Sequence, residues 1–231
     1  MKKRQFRKGV ITALRCLVLI GSLVLLFYPE ISDFWNSLGR SRILAGYDEA
    51  LRLTDKEDLE QERAAAEAYN NRLKEAEHRF VLNEAEQREY ESLLDISGTG
   101  IMCRIIIPVI HVSLPVYHGC EAEILQKAAG HFAGSSLPVG GPSTHCVISG
   151  HSALPSAKLF TDLPKLKEGD RFYLETLGET LTYRITEIQV VLPEELDALE
   201  IEEGRDLVTL VTCTPYGINS HRLLVQGERI H

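Results

Sequence analysis

Leu207-Val208-Thr209-Leu210-Val211-Thr212-Cys213-Thr214-Pro215-Tyr216-Gly217 reads as a strand that stops just past a cysteine. Leucine and β-branched side chains favour a pleated, extended chain, and Pro215 with Gly217 cannot continue it. Arg222 opens the next β-type run, nine positions after Cys213. If the two runs pair as an antiparallel hairpin, a thiol and a guanidinium stand at the same rim. A third run, Cys146-Val147-Ile148-Ser149-Gly150, leads into His151, which adds an imidazole at another strand end.

Similar runs extend outward from this core over residues 101–108, 109–116, 144–149, 171–177, 180–192, 207–213 and 222–226. They are rich in Val, Ile, Leu, Thr and Tyr and are separated by Gly or Pro clusters. Leu177-Gly178-Glu179 reads as a hairpin turn, and residues 122–129 fit one short helix. Seven or eight short strands in the stretch 98–231 predict a mainly β fold, a closed barrel or a sandwich.

Before Ser97-Gly98-Thr99-Gly100 the pattern is helical. Ile31, Phe34, Trp35 and Leu38 keep helical spacing. Leu59, Ala66, Leu73 and Phe80 recur every seven residues among Glu, Lys and Arg, giving a narrow apolar stripe on a charged helix. Asn83 with Glu86 three residues later predicts a capping box opening a last helix towards Leu93 and Leu94. The acidity of this segment reads as a solvated face.

Composition excludes several classes. The 231 residues are 44% hydrophobic and 25% charged, which fits a folded chain of one or two domains. Five scattered cysteines do not make a disulfide scaffold. Residues 1–28 hold six basic side chains and no acidic one, so the remainder has 19 basic against 33 acidic, a net of −14. So acidic a body does not suit nucleic acid.

The basic residues Lys2, Lys3, Arg4, Arg7 and Lys8 precede an apolar run, 10–28, interrupted only by Arg15. Nineteen helical residues span roughly 28 Å, close to the hydrocarbon thickness of a bilayer. The expectation is an uncleaved membrane anchor with a cytoplasmic tail, 1–9, and all that follows Tyr28 outside. A cleaved signal peptide would have a shorter apolar core ending in small residues, whereas this one ends Leu25-Leu26-Phe27-Tyr28. The implied plan is tail 1–9, anchor 10–28, helical segment 29–97 and barrel 98–231.

Cys213, His151 and Arg222 together suit acyl transfer. A free thiol is only about 3% thiolate at neutral pH, so a nearby base or cation helps it attack. A histidine can take that proton and return it to a leaving amine. An arginine can donate to an oxyanion or hold a substrate carbonyl. One residue of each kind is a weak signal by itself, because triads are recognised by geometry.

The local words carry more. Val147-Ile148-Ser149-Gly150-His151, Thr209-Leu210-Val211-Thr212-Cys213 and His221-Arg222-Leu223-Leu224-Val225 resemble the signature segments of sortases. Leu114-Pro115-Val116-Tyr117-His118-Gly119, Ser136-Leu137-Pro138-Val139-Gly140-Gly141 and Leu154-Pro155-Ser156-Ala157-Lys158-Leu159-Phe160 resemble the class C, pilus-assembling group. The likeness covers nearly all of 98–230. It implies a sortase-like closed β-barrel carrying a cysteine transpeptidase outside a Gram-positive membrane. Such enzymes cleave a Leu-Pro-x-Thr-Gly sorting signal between Thr and Gly and pass the acyl group to an amine. In class C relatives the amine is usually a lysine of the next pilin. By matching motif, Cys213 is the nucleophile, His151 the acid/base and Arg222 the substrate or oxyanion stabiliser. The implied partners are pilin or surface proteins with such signals, an amine acceptor and the cell membrane, with no cofactor.

Three departures stand out. No Asp-Pro-aromatic lid tripeptide occurs between Tyr28 and Gly98, no second membrane helix follows the last strand, and Ser149 replaces the usual Thr before Gly-His. Without that lid the thiol is expected to be open, or shielded only by weakly docked helices. Cys103, Cys120 and Cys146 read as small buried hydrophobes, though a disulfide between two of them is compatible with an oxidising compartment. Zinc ligation by His145, Cys146, His151, Cys213 or His221 lacks paired-ligand spacing. His118 and His131 read as structural, and Asn219 is a candidate orienter of His151. A peptidase resolved by water and a non-catalytic pilin-binding scaffold are the two other function classes.

Overall fold

The computed structural model describes residues 2–76, 78–152, 154 and 157–230; Pro155 and Ser156 of the class C motif lie outside the described residues. Among the described residues eight strands close into a barrel: β1 (Ile101–Ile107), β2 (Val112–His118), β3 (Ala129–His131), β4 (Thr144–Ser149), β5 (Arg171–Thr176), β6 (Glu179–Val191), β7 (Asp206–Thr214) and β8 (His221–Arg229). The order around the barrel is β1-β2-β3-β4-β7-β8-β6-β5, and β5 pairs back onto β1. The pairs β2–β3 and β4–β7 are parallel, the others antiparallel.

Alternation along each strand fills the interior. On β7, Val208 and Leu210 join Ile105, Ile148, Phe172, Leu174 and Val225 in the core, while Thr209, Val211 and Cys213 take the other face. The turn Leu177-Gly178 joins β5 to β6 with positive φ at both positions, 47° and 77°, as a tight two-residue hairpin turn requires. Two expected elements differ. A 3-10 turn, Pro108–Ile110, delays the second strand to Val112 because Pro108 cannot donate to a ladder. β3 lies where the end of the 122–129 helix was expected, since the helix stops at Leu125.

The helical segment holds α1 (Lys2–Leu53), α2 (Lys56–Leu73) and α3 (Glu84–Ser92). The expected transmembrane helix is not a separate element. Residues 10–28 belong to α1, and no single helix among the described residues is long and apolar enough to cross a membrane. Only the bent pair Leu14–Tyr28 and Glu30–Leu53, at 47°, meets length and composition together. The bend falls at Pro29, which lacks the N–H that would bond four residues back.

The capping box forms: Asn83 accepts from the Glu86 amide and Glu86 accepts from the Asn83 amide. The heptad stripe ends earlier than expected, because α2 stops at Leu73 and Phe80 lies in the following turn. Docking of these helices is not weak. Ala66, Tyr69, Leu73, Tyr90 and Leu94 are buried against Met102 and Leu137. Asn70 adds a two-way bond with the Leu137 backbone, 3.1 Å and 2.7 Å. Buried polar pairs of this kind contribute on the order of 1 kcal/mol each and fix register as well.

His131 joins the helices to the barrel. Its Nε2 donates to the Ser136 carbonyl at 2.9 Å, and its Nδ1 lies 3.0 Å from the Tyr90 hydroxyl. Full burial pushes the imidazole down to about 4, so it is neutral at pH 7. The unfolded chain takes up this proton more readily, so the contribution is complete above the ordinary histidine range. It is lost as pH falls towards about 4 and amounts to about 3 kcal/mol. Urea unfolding at pH 7, 5.5 and 4 is expected to show this loss, with a shallower pH dependence in His131→Gln. Equal pH dependence in both proteins would assign the acid sensitivity elsewhere.

Candidate active site

The site forms at the rim where β4 and β7 end and β8 begins. Cys213 on β7 and Arg222 on β8 are direct antiparallel partners, so their side chains leave the same face. The turn between them, residues 215–220, is held by the Pro215 carbonyl, which accepts from Ile218 and Asn219 at 3.0 Å each. Gly217 and Asn219 supply its positive φ angles, 77° and 60°.

His151 is fixed from the other side. The parallel β4–β7 ladder pairs Ser149 with Val211. Beyond it the Gly150 amide donates to the Val211 carbonyl at 3.0 Å. The Thr212 hydroxyl donates to the Gly150 carbonyl at 2.7 Å, and the Ser152 hydroxyl to the Cys213 carbonyl at 2.8 Å. His151 therefore sits between two residues bonded to Thr212 and Cys213. Gly150 permits this packing, because a Cβ there would fall 2.6 Å from the Phe160 ring.

Cys213 and Arg222 are thus paired at one edge, and His151 follows the end of the neighbouring strand β4. Cys213 is half-buried and free. Arg222 Nη1 donates to the Asn219 and His221 carbonyls at 3.1 Å, while its Nη2 and Nε make no hydrogen bond among the described residues. Those remaining donors are what an oxyanion or peptide carbonyl needs. The backbone carbonyl of Asn219, the candidate orienter of His151, accepts from Arg222.

Other candidates have structural roles. His118 bonds the Gly100 and Leu93 carbonyls. His145 is buried between the Glu200 carbonyl and the Thr209 hydroxyl, 2.7 Å from each, and burial lowers its pKa. Cys103 and Cys146 are core residues whose thiols burial pushes up. Cys120 differs from expectation: it is half-buried and lines a groove that Arg222 also lines.

That groove, ≈ 150 Å³, is the feature sequence reasoning missed. Val147, Val211 and Leu224 of the strands line it together with Phe132, Val191 and Leu199, with which they pack in one apolar cluster. Ser149 and Arg222 supply polar groups at it. An apolar channel with few polar groups suits an extended peptide with apolar side chains. Part of its lining comes from the long β6–β7 connection, whose sequence carries strand-terminating Pro193 but no sign of its partner surface.

A family model described as the sortase domain matches residues 105–230. The chain belongs to the sortase family, whose members are cysteine transpeptidases. Its structural resemblance is to class C members. A crystal structure of sortase C-1 from Actinomyces oris is 51% identical, covers 75% of this chain and 99% of its own, and has a TM-score of 0.70. Sortase C1 from Streptococcus agalactiae is 44% identical over 82% of this chain and 98% of its own, with a TM-score of 0.79. Among curated proteins, Sortase A of Streptococcus agalactiae serotype III is 32% identical over 54% of this chain and 51% of its own length. Sortase A of Bacillus anthracis is 28% identical over 56% and 60%. The chain thus spans about half to three fifths of those two curated relatives.

Proposed function

We propose that this chain is a membrane-anchored cysteine transpeptidase that cleaves a Leu-Pro-x-Thr-Gly-type sorting signal and joins the acyl part to a lysine amine, so polymerising pilin subunits. The observation that carries the reading is the direct pairing of Cys213 with Arg222; the bonds of Gly150 to Thr212 and of Ser152 to Cys213, on either side of His151, support its part in the site. The Cys213 thiolate attacks the Thr carbonyl of the signal, and Arg222 donates to the developing oxyanion. The C–S bond forms, the Thr–Gly C–N bond breaks, and His151 gives its proton to the departing glycine amine. The acceptor amine then attacks the thioester, the C–S bond breaks, and the amine's surplus proton returns to His151.

The domain plan follows from the same reading: tail 1–9, anchor 10–28, stalk 29–97 and catalytic barrel 98–231. Apolar side chains on every side of the first helix support the anchor; Leu14, Leu17, Leu25 and Leu26 are all more than 60% exposed. So continuous an apolar surface calls for a second apolar phase. The basic tail sets the N-terminus inside and the barrel outside.

The test is product analysis of the full chain in detergent with a Leu-Pro-x-Thr-Gly peptide, with and without a lysine amine. The expected result is a new amide product that rises with amine concentration while hydrolysis falls. Hydrolysis unaffected by amine would make the protein a peptidase, and no cleavage in either arm would make it a binding scaffold.

A further inference from the structure

Arg79 lies in the turn between α2 and α3, far in sequence from the barrel rim, yet its side chain is only 5% exposed. Its Nη2 donates to the Leu199 carbonyl at 2.7 Å and stands 3.2 Å from the Glu200 carboxylate. Leu199 is a buried wall of the groove. The Glu200 carbonyl is held as well, by His145 at 2.7 Å.

The same turn grips a second lining residue. The Arg79 guanidinium stacks on the Phe80 ring at 4.5 Å, and that ring meets Phe132 at 5.4 Å between centroids. Phe132, like Leu199, lines the groove. The backbone at Arg79 presses on Gly134, which has φ +84°, and a Cβ at Gly134 would run into the Arg79 carbonyl. Two neighbouring residues therefore tie two lining residues of the groove, Leu199 and Phe132, to the helical segment. A charged donor on a buried carbonyl is among the stronger hydrogen bonds, whereas the Glu200 carboxylate is 65% exposed and largely screened.

We infer that Arg79 is a positioning residue for recognition of the acyl donor: it sets the Leu199 wall of the groove, so the helical segment takes part in selecting the peptide cleaved. This rests on the transpeptidase reading of the groove. It acts through the β6–β7 connection and touches neither Cys213 nor its proton path. The donor it helps select is an extended peptide with apolar side chains, matching the groove lining.

The test compares wild type, Arg79→Ala, Arg79→Lys and Glu200→Gln in the full chain, with a Leu-Pro-x-Thr-Gly peptide as donor and a lysine amine as acceptor. For Arg79→Ala the donor KM is expected to rise about tenfold, the order for losing a charged hydrogen bond. kcat should change by less than about threefold and the acceptor KM not at all. Arg79→Lys should recover most of the loss, and Glu200→Gln should change the donor KM by less than about twofold. Hydrogen exchange over residues 196–201 should quicken about tenfold in Arg79→Ala, with the barrel strands unchanged. Unchanged donor KM and unchanged exchange would overturn the inference. So would a joint loss of kcat, both KM values and strand protection, which marks damage to the fold. A wild type without peptide turnover would contradict the transpeptidase reading and the donor role with it, and exchange would then decide whether Arg79 holds the wall.

Discussion

Cys213→Ala is expected to reduce peptide cleavage to about 10⁻⁴ of the wild-type rate or below, and to remove any covalent acyl adduct. Deleting the nucleophile of a covalent mechanism typically costs several orders of magnitude. The other thiols cannot replace it. Cys103 and Cys146 are fully enclosed by the barrel core, and burial holds both thiols well above the ordinary cysteine range. Cys120 reaches the groove, but burial and the neighbouring Glu121 push it up to about 12. At neutral pH its thiolate fraction is on the order of 10⁻⁵, far too small to sustain turnover. Alanine variants of these three should keep turnover within the limits set by their folding. Steady-state cleavage assays on the four single variants check this, and turnover by Cys213→Ala would refute the assignment.

Arg222→Lys is expected to lose about 10²–10³ in kcat/KM, although the charge is kept. The guanidinium spends Nη1 on the Asn219 and His221 carbonyls, which fixes its plane, and leaves Nη2 and Nε for the substrate. An ammonium cannot anchor itself to two backbone carbonyls and present a planar fork at the same time. Its reach from β8 is also shorter, so the donor would fall away from the oxyanion above Cys213. The check is kcat/KM for the donor peptide at fixed acceptor. Near-normal turnover by the lysine variant would mean that Arg222 supplies charge alone.

The parts of this molecule written in local words were legible. β4 spans the residues its β-branched run predicts, and β7 extends its predicted run by one residue at each end. The 177–178 turn and the Asn83–Glu86 capping box followed from residue types that permit few backbone conformations. The rim was legible for a similar reason: Pro215 and Gly217 stop one strand, and the spacing to Arg222 fits a hairpin. Non-local features were not. β3 has three residues and exists only because β2 and β4 flank it, one parallel and one antiparallel. The Leu59-to-Phe80 periodicity suggested a single helical stripe, but the chain leaves the helix at Leu73 and packs Phe80 on Phe132. Weak docking was expected because apolar spacing was narrow. The interlocks of Asn70 with Leu137 and of Tyr90 with His131 depend on partners that no spacing rule connects. The Arg79 bond to Leu199 joins residues 120 apart, and its only sequence trace is an arginine in a turn.

Intact-mass analysis of the full chain, mixed with a Leu-Pro-x-Thr-Gly peptide in the absence of amine and quenched early, tests the central claim most directly. The account predicts a mass increase equal to the acyl fragment ending at Thr, mapped by digestion to Cys213 and released by a lysine amine as a new amide. Cleavage without such an adduct, or an adduct carried by Cys103, Cys120 or Cys146, would contradict it.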